Sequence, residues 1–263
     1  MNRYKISFEY NGSDFWGSQI QKEGITVQGE LIKALCTLTK NNKTKVVMAG
    51  RTDRGVSAYN QSAHFDFEDK VQDKNKFLLS LNALLPSGVR VFEIENVASF
   101  HAQKSATYRH YRYVINNNLI SSPFDINVLH NRMQLNIERM NNCLNYILGE
   151  HDFSCFKSVS SNPYVDCIIY YANVRKDVYG YILIDIVGNR FLYNMVRAIV
   201  GTLFLIESKN LTQDYMEYVL NSKMRKNAGA NVSPVGLTLI KTGYDNPEIY
   251  VDKLMKGIIN ENL

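Results

Sequence analysis

Asp53 is the one acid in the stretch Ala49-Gly-Arg-Thr-Asp-Arg-Gly-Val-Ser-Ala58, with Arg51 and Arg54 on either side of it and Gly50 and Gly55 beyond them. Neighbouring cations favour the charged form of a carboxylate and lower its pKa. Such an acid suits a nucleophile or an ion-pair anchor better than a general acid. Glycines on both sides permit backbone conformations closed to other residues and let a ligand approach. The apolar run Lys45 to Ala49 precedes the motif, so the acid falls in a loop at a strand end, where folds commonly present catalytic groups. A solvated turn with a surface salt bridge is the other reading of the same ten residues.

Two further constellations bear on that choice. Between Phe100 and Tyr113, Lys104, Arg109 and Arg112 are interleaved with His101, Tyr108, His110, Tyr111 and Tyr113. Cations that meet phosphates and rings that stack on exposed bases are how single-stranded or flipped nucleotides are held. In a strand, Arg109, Tyr111 and Tyr113 share a face; an exposed strand with packed tyrosines and solvated arginines fits equally. From Phe191 onward, Leu192, Met195, Val196, Ile199, Val200 and Leu203 cover most of a helix circumference. Arg197 lies on the narrow remaining stripe, so it either has an anionic partner, for which Asp53 is a candidate, or reaches solvent along its stem. Lys223, Arg225 and Lys226 mark a basic loop that could meet a polyanion or simply be solvated.

Other motifs are read as structural. In Gly149-Glu-His-Asp-Phe153, a single His–Asp pair after a helix converges on nothing, and Asp152 capping a turn accounts for it. His64 is expected on the polar face of an alternating strand. Cys36, Cys143, Cys155 and Cys167 form no Cys-x-x-Cys pair, and the histidines show no metal spacing. Reduced structural thiols and no metal site are expected. Phosphate-binding, dinucleotide and serine-nucleophile motifs are all missing, so the chemistry is expected to need no cofactor. A net charge of +5 permits a polyanionic partner without demonstrating one. With no basic-then-apolar leader and no run of 18 apolar residues, the cytoplasm is the expected location.

Periodicity supplies the elements that position these residues. Arg3 to Tyr10 alternates as a strand, Thr26 offers a cap to a helix through Leu38, and Lys45–Ala49 and Gln61–Phe67 are strand-like. A helix over Asp73–Leu85 and a strand over Val89–Val97 complete a first βαββαβ order. A second runs through a strand at Ala106–Asn116, a helix at Asn136–Leu148 and a hairpin of Tyr164–Lys176 with Tyr181–Val187. Helices at Phe191–Glu207 and Thr212–Leu220 and a strand at Leu237–Thr242 close it. Two such units predict an α+β protein of ferredoxin-like halves, residues 1–103 and 104–263, each an antiparallel sheet with helices on one face. Their open faces are expected to form a central cleft for nucleic acid.

The chain as a whole resembles the bacterial-type tRNA pseudouridine synthase A family. The blocks that carry the resemblance are Tyr10–Gln19, Thr26–Gln28, Gly50–Val56, Phe100–Ala102, Tyr111–Tyr113, His151–Phe153, Met195–Gly201 and Pro234–Leu237, in the family's order. The resemblance implies isomerisation of uridine to pseudouridine at positions 38, 39 and 40 of the tRNA anticodon stem-loop, without cofactor, by a homodimer. It implies Asp53 as the catalytic aspartate, Tyr111 as the ring that stacks on the target base, and Arg51 and Arg197 as basic residues around the acid. Arg54, Arg109, Lys223 and Arg225 are further candidate RNA contacts. Arg54, Ser57, Ser18 and Gln103 stand where the family usually has Ala, His, Trp and Arg; losing the His and the Arg removes possible RNA contacts. The same tyrosines and cations also suit a noncatalytic tRNA-binding protein. A uridine hydrolase would need a second carboxylate to activate water, and none is clearly placed.

Overall fold

A computed structural model describes residues 1–160 and 163–258. In chain order its elements are β1 (Asn2–Tyr10), α1 (Val27–Thr39), β2 (Val46–Met48), β3 (Ser57–Phe67), α2 (Lys74–Leu84), β4 (Val89–Asn96), β5 (Tyr108–Asn116), β6 (Leu129–His130) and α3 (Ile137–Asn145). There follow β7 (Gly149–Asp152), β8 (Asp166–Lys176), β9 (Ile182–Gly188), α4 (Met195–Ser208), α5 (Asp214–Ser222), β10 (Leu237–Gly243) and α6 (Pro247–Met255). The protein is α+β. It divides into two compact units: unit 1 is Met1–Ala106 with Leu239–Tyr244, and unit 2 is Thr107–Thr238 with Asp245–Leu263. A boundary at residue 103 puts all of β10 in the second half, whereas most of β10 belongs to unit 1.

In unit 1, Thr26 and Asp73 cap α1 and α2, each side chain accepting a backbone N–H of the first turn. Antiparallel β1 pairs with β3 on one edge and β4 on the other. The far edge of β3 carries β2 and the Leu239–Gly243 part of β10. The order β4-β1-β3-β2 is that of a split βαβ unit. Tyr4, Ile6, Phe8, Leu31, Leu35, Phe65 and Leu81 form the core. The sequence placed the start of β3 four residues late, because its first residues, Ser57 to Asn60, do not alternate cleanly.

Unit 2 repeats the plan, with sheet order β5-β9-β8-β7 and β6 lying parallel beside β5. The β8–β9 hairpin turns where Asp177 Oδ1 accepts the backbone N–H of Tyr179 and Tyr181. The sequence pattern started α4 at Phe191, but the helix begins at Met195, since Asn194 is in the left-handed region (φ 62°). Residues Phe191 to Tyr193 are therefore free for non-helical work. Periodicity also missed α6 and β7; α6 packs through Tyr250 and Val251 on Tyr108 and Val187. No helix of the described residues is long and apolar enough to cross a membrane.

Within unit 2 the segment after α5 is held against α4 by contact of backbone on backbone. A Cβ at Gly201 would overlap the Ala230 carbonyl, and one at Gly229 would overlap the Gly201 carbonyl. Thr202 Oγ1 accepts the Gly229 N–H at 2.8 Å and donates to Ala198 O at 2.8 Å. The close approach brings Val232 O within 2.8 Å of Arg197 Nε.

Candidate active site

The loop that carries Asp53 leaves β2 at Met48 and enters β3 at Ser57. Val56 N–H donates to Asp53 O at 3.1 Å, closing a turn whose third residue, Gly55, has φ 81°. Gly50 needs no such freedom; its φ is ordinary and open space surrounds it. On one side of the acid, Thr52 is buried: its N–H donates to Ser18 Oγ at 2.8 Å, its carbonyl accepts Ser18 N–H at 3.1 Å, and its hydroxyl lies 2.7 Å from Tyr10 Oη. On the other side Ser57 Oγ accepts the Gly12 N–H at 2.9 Å. Gly12 is fitted tightly there, since a Cβ would overlap the Val56 carbonyl. Burial pushes the Tyr10 hydroxyl up to about 12 against the opposing effect of its bonds to Thr52, Gln61 and Ser18, so it serves as a neutral strut.

Asp53 is thus half-buried at the crest of a turn pinned on both flanks, with Arg51 and Arg54 exposed beside it. Preorganisation of this kind holds a reactive group without reorganisation at the moment of reaction. In the sequence Ser18 and Ser57 stand out only as departures from the family pattern. They are 0% and 2% exposed and support the loop backbone. Sequence offered no signal for this, because a serine that bonds a distant main-chain group looks like any loop serine. Arg54 is not a simple flanking charge either, since its guanidinium carbon lies 4.1 Å from the centroid of the Trp16 ring.

In unit 2, β5 separates the aromatic-basic segment by face. Tyr111 is half-buried and its ring meets Phe191 edge-on, with centroids 5.0 Å apart. That contact explains why Phe191 is apolar although it precedes the helix. Arg109 donates to Asn189 O at 2.7 Å. Tyr113 is buried, donates to Ser233 O at 2.8 Å and packs under Gly236; burial raises its pKa, and the charge of Arg197 works the other way.

The alternate residues of β5 are a correction to the nucleic-acid reading. Tyr108, His110 and Arg112 are at most 2% exposed. Asp185, across on β9, lies 2.7 Å from Arg112 Nε and 2.8 Å from His110 Nε2, and Arg175 approaches it at 3.6 Å. His110 Nδ1 and the Tyr250 hydroxyl are 2.8 Å apart. Burial opposes the charge on Asp185, but the bonds and charges of His110 and Arg112 outweigh it and hold the carboxyl at about 2. A buried charge requires such partners.

Arg197 is half-buried in the first turn of α4. Its Nε donates to Val232 O, and its Nη1 donates to Asn194 Oδ1 at 2.7 Å. Asn194 accepts a left-handed backbone, a strained state that holds its side chain where Arg197 needs it. Lys223 lies 3.2 Å from Asp152, and Arg225 directs its fork at Gly229 O and Asn231 Oδ1, both at 2.8 Å. Arg225 therefore staples its own loop. Asp53, Arg51 and Arg54 belong to unit 1; Tyr111, Arg109, Arg197, Lys223 and Arg225 belong to unit 2.

The residues read as structural have structural environments. Asp152 Oδ1 accepts Ser154 N–H at 2.9 Å, although His151 and Asp152 lie in β7 rather than in a turn. His64 is buried instead of lying on a polar face, and its Nδ1 accepts Ala102 N–H at 3.1 Å. Burial, then the charges of Arg3 and His101, lower its pKa to about 4. Burial likewise pushes the thiols of Cys143, Cys155 and Cys167 up to about 11, 12 and 11, so all three are inert at neutral pH. Among the described residues no group of three or more His, Cys, Asp or Glu side chains is placed to hold a metal ion.

Comparison with known proteins bears on what this geometry serves. The family model for tRNA pseudouridine synthase matches residues 144–245. The tRNA pseudouridine synthase A of Colwellia psychrerythraea is 39% identical over 246 residues, covering 92% of this chain and 93% of that protein. That of a Thermoanaerobacter species is 38% identical over 93% of this chain and 100% of its own length, and that of Anoxybacillus flavithermus 37% over 94% and 100%. The chain belongs to the tRNA pseudouridine synthase A family, isomerases that act on uridine in tRNA.

Proposed function

We propose that this protein converts uridine to pseudouridine at positions 38, 39 and 40 of the tRNA anticodon stem-loop, with Asp53 as the catalytic carboxylate and Tyr111 stacking on the flipped base. The observation that carries the reading is the pinned loop, in which Thr52 and Ser57 hold the backbone on both sides of Asp53. A base inside a duplex stack is out of reach, so the target nucleotide must be extruded first. The bond from N1 to C1′ then breaks, the ring turns, C5 joins C1′, and the proton on C5 leaves while N1 gains one. No atom or electron is gained or lost overall, so the reaction calls on no external oxidant, reductant or group donor.

A carboxylate contributes by adding to the sugar or base as nucleophile, or by taking a proton from the sugar. The Tyr111 ring, held edge-on by Phe191, supplies the stacking surface and a hydroxyl for the final proton transfer. Arg197 supplies a cation whose fork is oriented by Val232 and Asn194. Arg51 is exposed and suited to a phosphate, with Arg109, Lys223 and Arg225 as weaker candidates because each already has a protein partner. The setting is the cytoplasm.

Transcripts of an anticodon stem-loop with a single uridine at 38, 39 or 40, or at a position outside that window, test the assignment. Pseudouridine is expected in the first three and not in the fourth; modification confined to the fourth would contradict the positions while keeping the chemistry. We also propose a homodimer, supported by the exposed apolar residues Leu119, Ile120, Phe124 and Ile126 after β5. Light scattering should return twice the 30.2 kDa chain mass. An active monomer at assay concentration would overturn the dimer.

A further inference from the structure

We infer that Trp16 and Arg54 form a stacked clamp for a backbone phosphate of the RNA strand next to the target nucleotide, with Arg54 as the contact and Trp16 as its positioning residue. The inference rests on the reading of Asp53 as the catalytic carboxylate. Arg54 follows Asp53 directly in the turn that closes from Asp53 O to Val56 N. Its guanidinium carbon lies 4.1 Å from the Trp16 ring centroid, within the range of a cation–π stack.

The backbone that carries the ring is fixed: the Trp16 main-chain N–H donates to Ile25 O at 2.7 Å, and Gln21 Nε2 donates to the Trp16 main-chain carbonyl at 2.6 Å. Gly24, at φ 83°, lies so close beneath the ring that a Cβ there would overlap it. Gly17, at φ 98°, fits the next peptide against the Asp53 loop, 3.1 Å from Thr52 O and 3.4 Å from Arg54 N measured from where a Cβ would stand. The segment carrying the ring and the loop carrying the acid are therefore seated on each other. The geometry of the stack is inherited by the site.

This arrangement differs from an ordinary surface arginine in what the side chain has left to lose. A free arginine gives up rotamer entropy when it is immobilised; one already stacked on a ring has given up much of it before the ligand arrives. The ring lies against the guanidinium carbon at 4.1 Å, and the guanidinium N–H groups are the part that matches the oxygens of a phosphate. Arg54 is exposed and Trp16 is 44% exposed, so a strand passing the Asp53 loop can reach both. Phosphate contacts set register along a strand rather than sequence. A cation one residue from the catalytic acid therefore sets how the strand is seated when the uridine is presented.

The test uses the full-length protein, an anticodon stem-loop transcript, and two readouts: binding by filter retention across a salt series, and steady-state pseudouridine formation. R54A is expected to weaken binding and raise KM about 10-fold with kcat kept, and to lower the slope of log K against log salt by about one, the signature of one lost phosphate contact. R54K, which keeps the charge but not the planar fork, falls between. W16L should weaken binding less than R54A, and should have no further effect in an R54A background, because its role runs through Arg54. An unchanged salt slope in R54A would overturn the clamp, as would additive losses in the double variant for the role of Trp16. A loss that depends on the base flanking the uridine would replace phosphate by base recognition, and a fall in kcat with binding intact would move Arg54 to the reacting atoms. Product formed by the wild type keeps failure of the clamp separate from failure of the proposed reaction.

Discussion

Replacing Asp53 by Asn is expected to lower pseudouridine formation by about 10⁴-fold or more while leaving tRNA affinity within a few-fold of wild type. Loss of a group that acts directly on the reacting atoms has effects of this order. The amide keeps the shape of the carboxylate but neither adds to a sugar or base nor takes a proton. The fold should survive, because Thr52, Ser18 and Ser57 hold the loop backbone on both sides of residue 53. Release of tritium from tRNA labelled at uridine C5 measures the reaction, and filter binding measures the affinity. Undiminished release by D53N would remove Asp53 from the mechanism, and loss of binding in parallel with loss of activity would make it an anchor of the RNA.

The second large effect concerns stability. Asp185→Ala should destabilise unit 2 by about 3–5 kcal/mol, because it removes the buried carboxylate that Arg112 Nε meets at 2.7 Å. His110 loses a bond in the same step, and with it the order of its contact with Tyr250 of α6. Urea unfolding followed by circular dichroism measures the loss; an unchanged midpoint would show that the network contributes nothing. The pH dependence has a definite sign. The folded carboxyl sits at about 2, below its ordinary value of 3.8, so it adds stability that is full above about pH 4 and is lost as pH falls toward 2. The wild type should lose about 2 kcal/mol over that window in excess of D185A, in which the term is gone.

The residues that sequence reading placed well were those whose signals are local. Thr26, Asp73 and Asn136 cap helices as polar residues before an apolar-periodic run do. The placing of Asp53 in a loop between two strands was legible because glycines, arginines and an acid at a strand end are close together in the chain. What failed depended on partners far away. Arg112 and His110 looked like solvent-facing cations and rings because Asp185, which buries them, is more than 70 residues off. His64 seemed to alternate outward, but Ala102 N–H covers it. Ser18 and Ser57 gave no warning that they hold the Asp53 loop. The left-handed Asn194 ended an apolar periodicity that continued through Phe191, so the helix was read four residues too long. Helix α6 carries its apolar residues too sparsely to announce itself, and it packs through Tyr250, whose ring stacks on Tyr108 at 4.5 Å.

The most direct measurement is the nucleoside composition of an anticodon stem-loop transcript after incubation with the purified protein, by chromatography and mass spectrometry. Conversion of uridine to a product of identical mass that elutes as pseudouridine, with no free uracil and with no conversion by D53N, is the result expected. Free uracil would make the protein a hydrolase, and unaltered uridine in RNA that is demonstrably bound would make it a binding protein; either would contradict isomerisation at Asp53.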